Sequence, residues 1–150
     1  MATKGIPYGV TDFRLIREGG YYYVDKTRYI TLVEDAARFF FLIRPRRFGK
    51  SLFINMLTWY YDINRKDRFE ELFGDLYIGQ HPTEEQGKYL ILSFNFSAVN
   101  PDPDKLIESF EWHCHLRFME FAGAYASYFD SGFAEEVKNA PSATAKFSYI

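Results

Sequence analysis

The order of apolar and polar residues predicts an α/β fold, a sheet flanked by helices, and three observations carry that expectation. Residues 39–43 (FFFLI) form a continuous apolar run bounded by charge, the pattern of a strand buried on both faces. A glycine-bearing turn follows and opens a strongly apolar helix from Gly49-Lys50 to about Tyr61. Residues 89–96 (YLILSFNF) then read as a second strand, apolar at first and alternating later, ahead of a long helix.

The remaining elements come in chain order. Gly5, Pro7, Gly9, Gly19 and Gly20 surround a short apolar patch and mark an irregular opening segment. Residues 21–24 read as a short strand, and Asp25 as the N-cap of a helix over about 27–37 with Tyr29, Ile30, Val33 and Ala37 on one face. Leu52, Met56 and Trp59 share one side of the helix after Lys50, and Phe53, Leu57, Tyr60 and Tyr61 the adjoining side. So wide an apolar arc predicts packing on more than one neighbour. Residues 69–73 read as one or two helical turns ending at Gly74, and 82–87 as a polar turn. Pro101 to Pro103 mark a loop before a helix over about 104–129. After Gly132 the pattern weakens to one helical stretch near 135–138 and a frayed end. The expected division is a lead-in over 1–38, a core portion over 39–132, and a tail or linker over 133–150.

Composition narrows the function classes. The net charge of −2, from 18 basic and 20 acidic side chains, argues against a general polyanion binder, so any basic site must be local. A single cysteine, Cys114, excludes an internal disulfide framework and suits a reducing compartment. Residues 1–9 lack the apolar region of a secretory signal, and no run approaches the length a membrane helix needs. A cytoplasmic protein with no membrane contact is the expectation. Aromatic residues make up 20% of the chain, clustered at 21–23, 39–41 and 59–61. No Lys or Arg is interleaved with them in a nucleic-acid pattern, which favours core packing over base stacking.

The octapeptide Arg44-Pro45-Arg46-Arg47-Phe48-Gly49-Lys50-Ser51 is a variant of the phosphate-binding P-loop, G-x-x-x-x-G-K-[ST] between a strand and a helix. Backbone amides of the turn and the helix N-terminus would point at phosphates. Lys50 would reach the outer phosphates, Ser51 would place its hydroxyl on magnesium, and Gly49 would let the backbone approach the anion. The tripeptide alone is a weak signal; the apolar run before it and the apolar helix after it strengthen it. Arg44 stands where the first glycine should be, which reads either as a different way into the loop, with Pro45 fixing φ, or as a degraded loop. Arg46 and Arg47 suit phosphate as planar guanidinium groups, or pair with surface carboxylates.

Residues 6–30 (IPYGVTDFRLIREGGYYYVDKTRYI), 39–53 (FFFLIRPRRFGKSLF), 69–79 (FEELFGDLYIG) and 89–97 (YLILSFNFS) together resemble the bacterial AAA-ATPase-like domain family. The resemblance runs from about Ile6 to Phe129, and VDKT with RPRRFGKS is its specific combination. It implies a P-loop NTPase-type sheet flanked by helices, of which this chain is similar to the N-terminal portion. It implies ATP and Mg2+ as cofactors, with Lys50 on the phosphates, Ser51 on the metal and Gly49 as the loop glycine; Arg46, Arg47 and Phe48 of the same loop are assigned to the nucleotide with them. Arginine at the position of Arg44 is ordinary in that family. Tyr8, in the segment that such domains bring against the adenine, is assigned to base contact, with core packing as the competing reading. The resemblance also implies a PD-(D/E)XK nuclease-like domain further along such chains, hence a DNA partner reached through it; a homo-oligomer is left open, since the sequence does not give the oligomeric state. The family's second acidic motif, an apolar strand ending in Asp-Glu, has no counterpart here, since 89–96 leads into Ser97 without a carboxylate. The resulting expectation is ATP binding, with hydrolysis needing downstream residues. Its alternatives are a non-hydrolysing regulatory or interaction module, or a basic-loop nucleic-acid contact. No catalytic residue is assigned.

Other constellations carry less. His113-Cys114-His115 contains zinc-ligand types, but a helix turns the two histidines roughly 200° apart. Glu70, Glu71 and Asp75 read as a solvated acidic face. Asp25 reads as a cap, with a place near the nucleotide as the alternative.

Overall fold

The computed structural model describes residues 4–36 and 39–149. It divides into two units, Met1–Leu90 and Ile91–Ile150.

The first unit is helical. Asp12 caps α1 (Phe13–Glu18) by accepting from the Leu15 amide, and Gly19 with Gly20 (φ +61°) ends it. α2 covers Tyr29–Glu34, shorter than the periodicity predicts and without a side-chain cap. Ala37, the last residue of its predicted apolar face, lies outside the described residues; of the rest, Ile30 is buried and Tyr29 is exposed. α3 (Lys50–Tyr61) matches its predicted span and ends at Asp62, whose carboxylate caps a 3₁₀ helix over Ile63–Arg68. α4 (Phe69–Phe73) and α5 (Tyr77–Gln80) complete the unit. Phe13, Ile30, Met56, Tyr60, Leu72, Phe73, Leu76 and Ile78 form its core. Rings dominate the packing, with Phe13 and Phe73 centred 4.8 Å apart and Tyr60 edge-on to Phe73 at 5.7 Å. The cluster at 59–61 therefore goes to the core, whereas Phe39 and Phe41 are 79% and 83% exposed.

In the second unit, Cys114, Phe118, Phe121 and Ala122 make one buried stripe along α6 (Leu106–Ala124), against which α7 (Phe133–Asn139) and α8 (Ala143–Phe147) pack. Ser142 caps α8, and Glu111 on α6 accepts from the Ala143 amide at 2.6 Å. Lys146 is buried, but its ammonium donates to the Ala140 carbonyl.

The α/β expectation is not met. Among the described residues there is no strand and no sheet. The β-type pairing is a single parallel bridge between Asp62 and Tyr89, where the Ile63 amide donates to the Tyr89 carbonyl and the Tyr89 amide to that of Tyr61. Residues 39–43 and 90–95 form neither helix nor ladder. An apolar run sets side-chain chemistry, but a strand exists only where a neighbour takes up its amides and carbonyls. Phe41 and Ile43 are 83% and 90% exposed while Leu42 between them is half-buried, so the run predicted to be buried on both faces is not. Residues 21–24, the third predicted strand, also form none: Tyr21 and Tyr22 donate to the Ile16 and Gly5 carbonyls, which ties the segment to α1 and the opening residues.

Candidate functional site

α3 begins at a turn with an unusual backbone. Gly49, its N-cap, is left-handed (φ +74°, ψ +20°), and no side chain caps the helix. Arg47, two residues earlier, is also left-handed (φ +66°), the one non-glycine residue with positive φ among those described. Such a conformation costs a side-chain-bearing residue about 1–2 kcal/mol. Alternation of this kind turns successive amides toward one side of the chain and makes an anion-binding hollow. The uncapped amides of the 12-residue α3, at the positive end of its dipole, open onto the same place.

The Lys50 ammonium folds back over the loop and donates to the Arg44 carbonyl at 2.7 Å and the Pro45 carbonyl at 2.9 Å. Two of its three protons are thus used in holding the loop closed, and the third is left for a ligand. This geometry accounts for arginine at position 44. Its contribution is a carbonyl, which any residue supplies, and its φ lies outside the region that favours glycine.

The loop forms one wall of a cleft of about 710 Å³ lined by Arg46, Arg47, Gly49, Lys50, Ser51 and Leu52. Residues 7–11 form the other wall. The volume is within the range of small-molecule sites, roughly 300–1,000 Å³. Three cationic side chains line it and no described carboxylate does. Neither Arg46 nor Arg47 pairs with a described carboxylate, whereas Arg14, Arg17, Arg65, Arg68 and Arg117 all do. Tyr8 is 95% exposed on the far wall, so the core-packing reading of its ring does not hold. Of the residues singled out from sequence, Tyr8, Arg46, Arg47, Gly49, Lys50 and Ser51 come together in this cleft. Phe48 is exposed and is not among the lining residues. Val10, Thr11 and Leu52 also line the cleft, and no local sequence signal marks them; only tertiary contact does.

The VDKT segment has a different place. Asp25 Oδ1 accepts from the Thr27 amide and hydroxyl, and Oδ2 accepts from the Tyr77 amide, the first of α5. Thr27 Oγ1 in turn accepts from the Ile78 amide. Asp25 is therefore a cap, though for α5 and not for the helix that comes after it in sequence. Burial pushes its carboxyl pKa up, but the bonds from Tyr77 and Thr27 outweigh that and hold it below the ordinary aspartate range.

Two of the acidic candidates are engaged by arginines. Glu71 bonds Arg68, and Asp75 bonds Arg17. Cys114 is buried; burial and the nearby Glu111 push its thiol up, away from the reactive thiolate. Among the described residues no group of three or more His, Cys, Asp or Glu side chains is arranged to hold a metal ion. No helix among them is long and apolar enough to cross a membrane.

Comparison with known proteins adds the family. An uncharacterized protein encoded in the vnfD 5′ region of Azotobacter chroococcum mcd 1 is 50% identical over 59 residues, which are 39% of this chain and 11% of that protein. The match thus spans about a tenth of that relative's length. No solved structure matches. The family model described as Predicted AAA-ATPase matches residues 7–149, and the chain belongs to this AAA-ATPase-like family.

Proposed function

We propose that the cleft beside Lys50 binds the phosphates of a nucleotide, ATP with its Mg2+. The observation that carries this is the loop backbone. Left-handed Arg47 and Gly49 lead into an uncapped α3 N-terminus, so amides, a helix dipole and the cations Arg46, Arg47 and Lys50 converge on one cleft. A non-glycine residue held in the left-handed region is local strain of the kind that gathers at ligand sites. The residues fit the group: cations for the phosphates, Gly49 for close approach, and the exposed Tyr8 ring as a surface for a base. Ser51 offers its hydroxyl to the magnesium that the nucleotide carries, and the metal would supply charge neutralisation at the outer phosphates. Membership of an AAA-ATPase-like family supports the same reading.

Titration of the chain with magnesium-ATP tests it. Lys50→Ala should weaken binding at least about tenfold, the loss of a charge-assisted phosphate contact worth roughly 1.5–3 kcal/mol. Equal affinity in both proteins would overturn the reading.

Binding is proposed for this chain and turnover is not. Hydrolysis needs a group to orient the attacking water, and no described carboxylate lines the cleft. That group is assigned to downstream residues; steady turnover by the chain alone, lost in Lys50→Ala, would contradict this. The same cluster of arginines supports a second reading, contact with DNA for an associated nuclease-like domain. Salt-dependent binding of single-stranded DNA that ATP fails to displace would favour it.

A further inference from the structure

The cleft has one wall with evident internal support and one without. The loop wall is closed by Lys50 and continued by α3. The opposite wall, residues 7–11, has little of its own: the Tyr8 amide bonds only to the Ile6 carbonyl nearby, Gly9 is left-handed, and Ile6 and Tyr8 are 82% and 95% exposed. It is held from its two ends: the Gly5 carbonyl before it accepts from the Tyr22 amide at 2.9 Å, and after it comes the start of α1. There Phe13 is fully buried in the core, and its amide donates to Asn55 Oδ1 at 2.7 Å.

That amide is the first of α1 and has no partner inside the helix. Asp12 does not serve it, since its carboxylate bonds the Leu15 amide. A helix of six residues is marginal alone, so an external anchor for its first turn matters. Asn55 stands four residues after Ser51 on α3, hence on the same face one turn further along. One side chain on the phosphate-loop helix therefore holds the beginning of α1, just beyond the far wall of the cleft.

We infer that Asn55 is a positioning residue for the base of the bound nucleotide: its amide oxygen fixes residues 7–11 opposite the phosphate loop, and so governs affinity for the base and not for the phosphates. This rests on the nucleotide reading above. Asn55 does not line the cleft and touches no ligand. It acts through the Phe13 amide on the wall that carries Tyr8.

The test compares two ligands that share phosphates and differ in the base, magnesium-ATP and magnesium-tripolyphosphate, titrated calorimetrically into the full chain. In the unaltered protein ATP should bind more tightly than tripolyphosphate. Asn55→Ala should weaken ATP about fivefold or more, as loss of one such hydrogen bond implies, and leave tripolyphosphate within about twofold. Unchanged tripolyphosphate binding also reports an intact loop, which separates positioning from misfolding. Asn55→Asp keeps an acceptor for the Phe13 amide while adding charge one turn from Ser51. Both ligands should weaken together there, and the ratio of their affinities should return to that of the unaltered chain. Equal weakening of both ligands in Asn55→Ala, or none in either, overturns the assignment. Failure of the unaltered chain to bind either ligand overturns the nucleotide reading itself, and this inference with it.

Discussion

Arg47 holds a conformation that glycine adopts freely, and its guanidinium lines the cleft that this conformation helps to create. One residue thus has two opposed effects. Arg47→Gly removes side-chain strain but gives the unfolded chain more freedom. Stability should then stay level or rise by up to about 1 kcal/mol in thermal melts, while ATP affinity falls with the lost charge. Arg47→Val keeps a side chain where a β-branched residue fits worst, and should cost at least about 1–2 kcal/mol. If Val and Gly behave alike in the melt, the left-handed backbone is not what the loop uses. Arg44 is the contrast. Its carbonyl accepts from Lys50, so Arg44→Gly should leave ATP affinity within about twofold if the side chain contributes only a long-range charge.

Between elements, the Asp25–Thr27 pair joins the segment before α2 to the first turn of α5 through two hydrogen bonds, and two more tie Asp25 to Thr27 within the segment. Asp25→Ala should destabilise the unit by about 1–3 kcal/mol in urea unfolding, since it frees amides that the fold places near or below the surface. The folded carboxyl lies below its unfolded value. Its stabilisation is therefore fully present above the ordinary aspartate pKa and is lost as pH falls through the depressed folded value. Asp25→Asn should remove that part of the acid dependence, and an unchanged acid limb in stability measured against pH would refute the link. α4 is anchored differently, by Phe73 packed against Phe13 and edge-on to Tyr60. Truncation to Phe73→Ala should cost about 3–5 kcal/mol.

Over the chain as a whole, alkaline pH probes the first unit through its tyrosines. Burial, with Asp25 nearby, pushes Tyr23 up to about 12, and burial with the hydrogen bond to Glu34 pushes Tyr61 up as well. Raised values favour the neutral folded form, so this stabilisation is present below the ordinary tyrosine pKa near 10 and fades as pH climbs from there toward 12. Tyrosinate absorbance should show a late-ionising class that disappears when the chain is unfolded in urea. How much of the molecule is legible in its sequence differs by element. α3 is readable because its apolar arc, its glycine and its lysine are neighbours in sequence, and helical bonds are local. The expected sheet fails because apolar runs at 39–43 and 89–96 specify side chains and leave open which backbone, if any, lies alongside. Asp25 reads as the cap of the wrong helix, since it and its partner Tyr77 are 52 positions apart. Local chain order is enough to dictate the basic loop from Arg46 to Ser51 and the helix it opens, because turn, charge and helix start are encoded within a few residues. It takes the folded chain to show that no strand forms among the described residues, that Tyr8 lies on the wall opposite the loop, and that Asn55 holds the Phe13 amide. Each of those depends on partners that chain distance conceals.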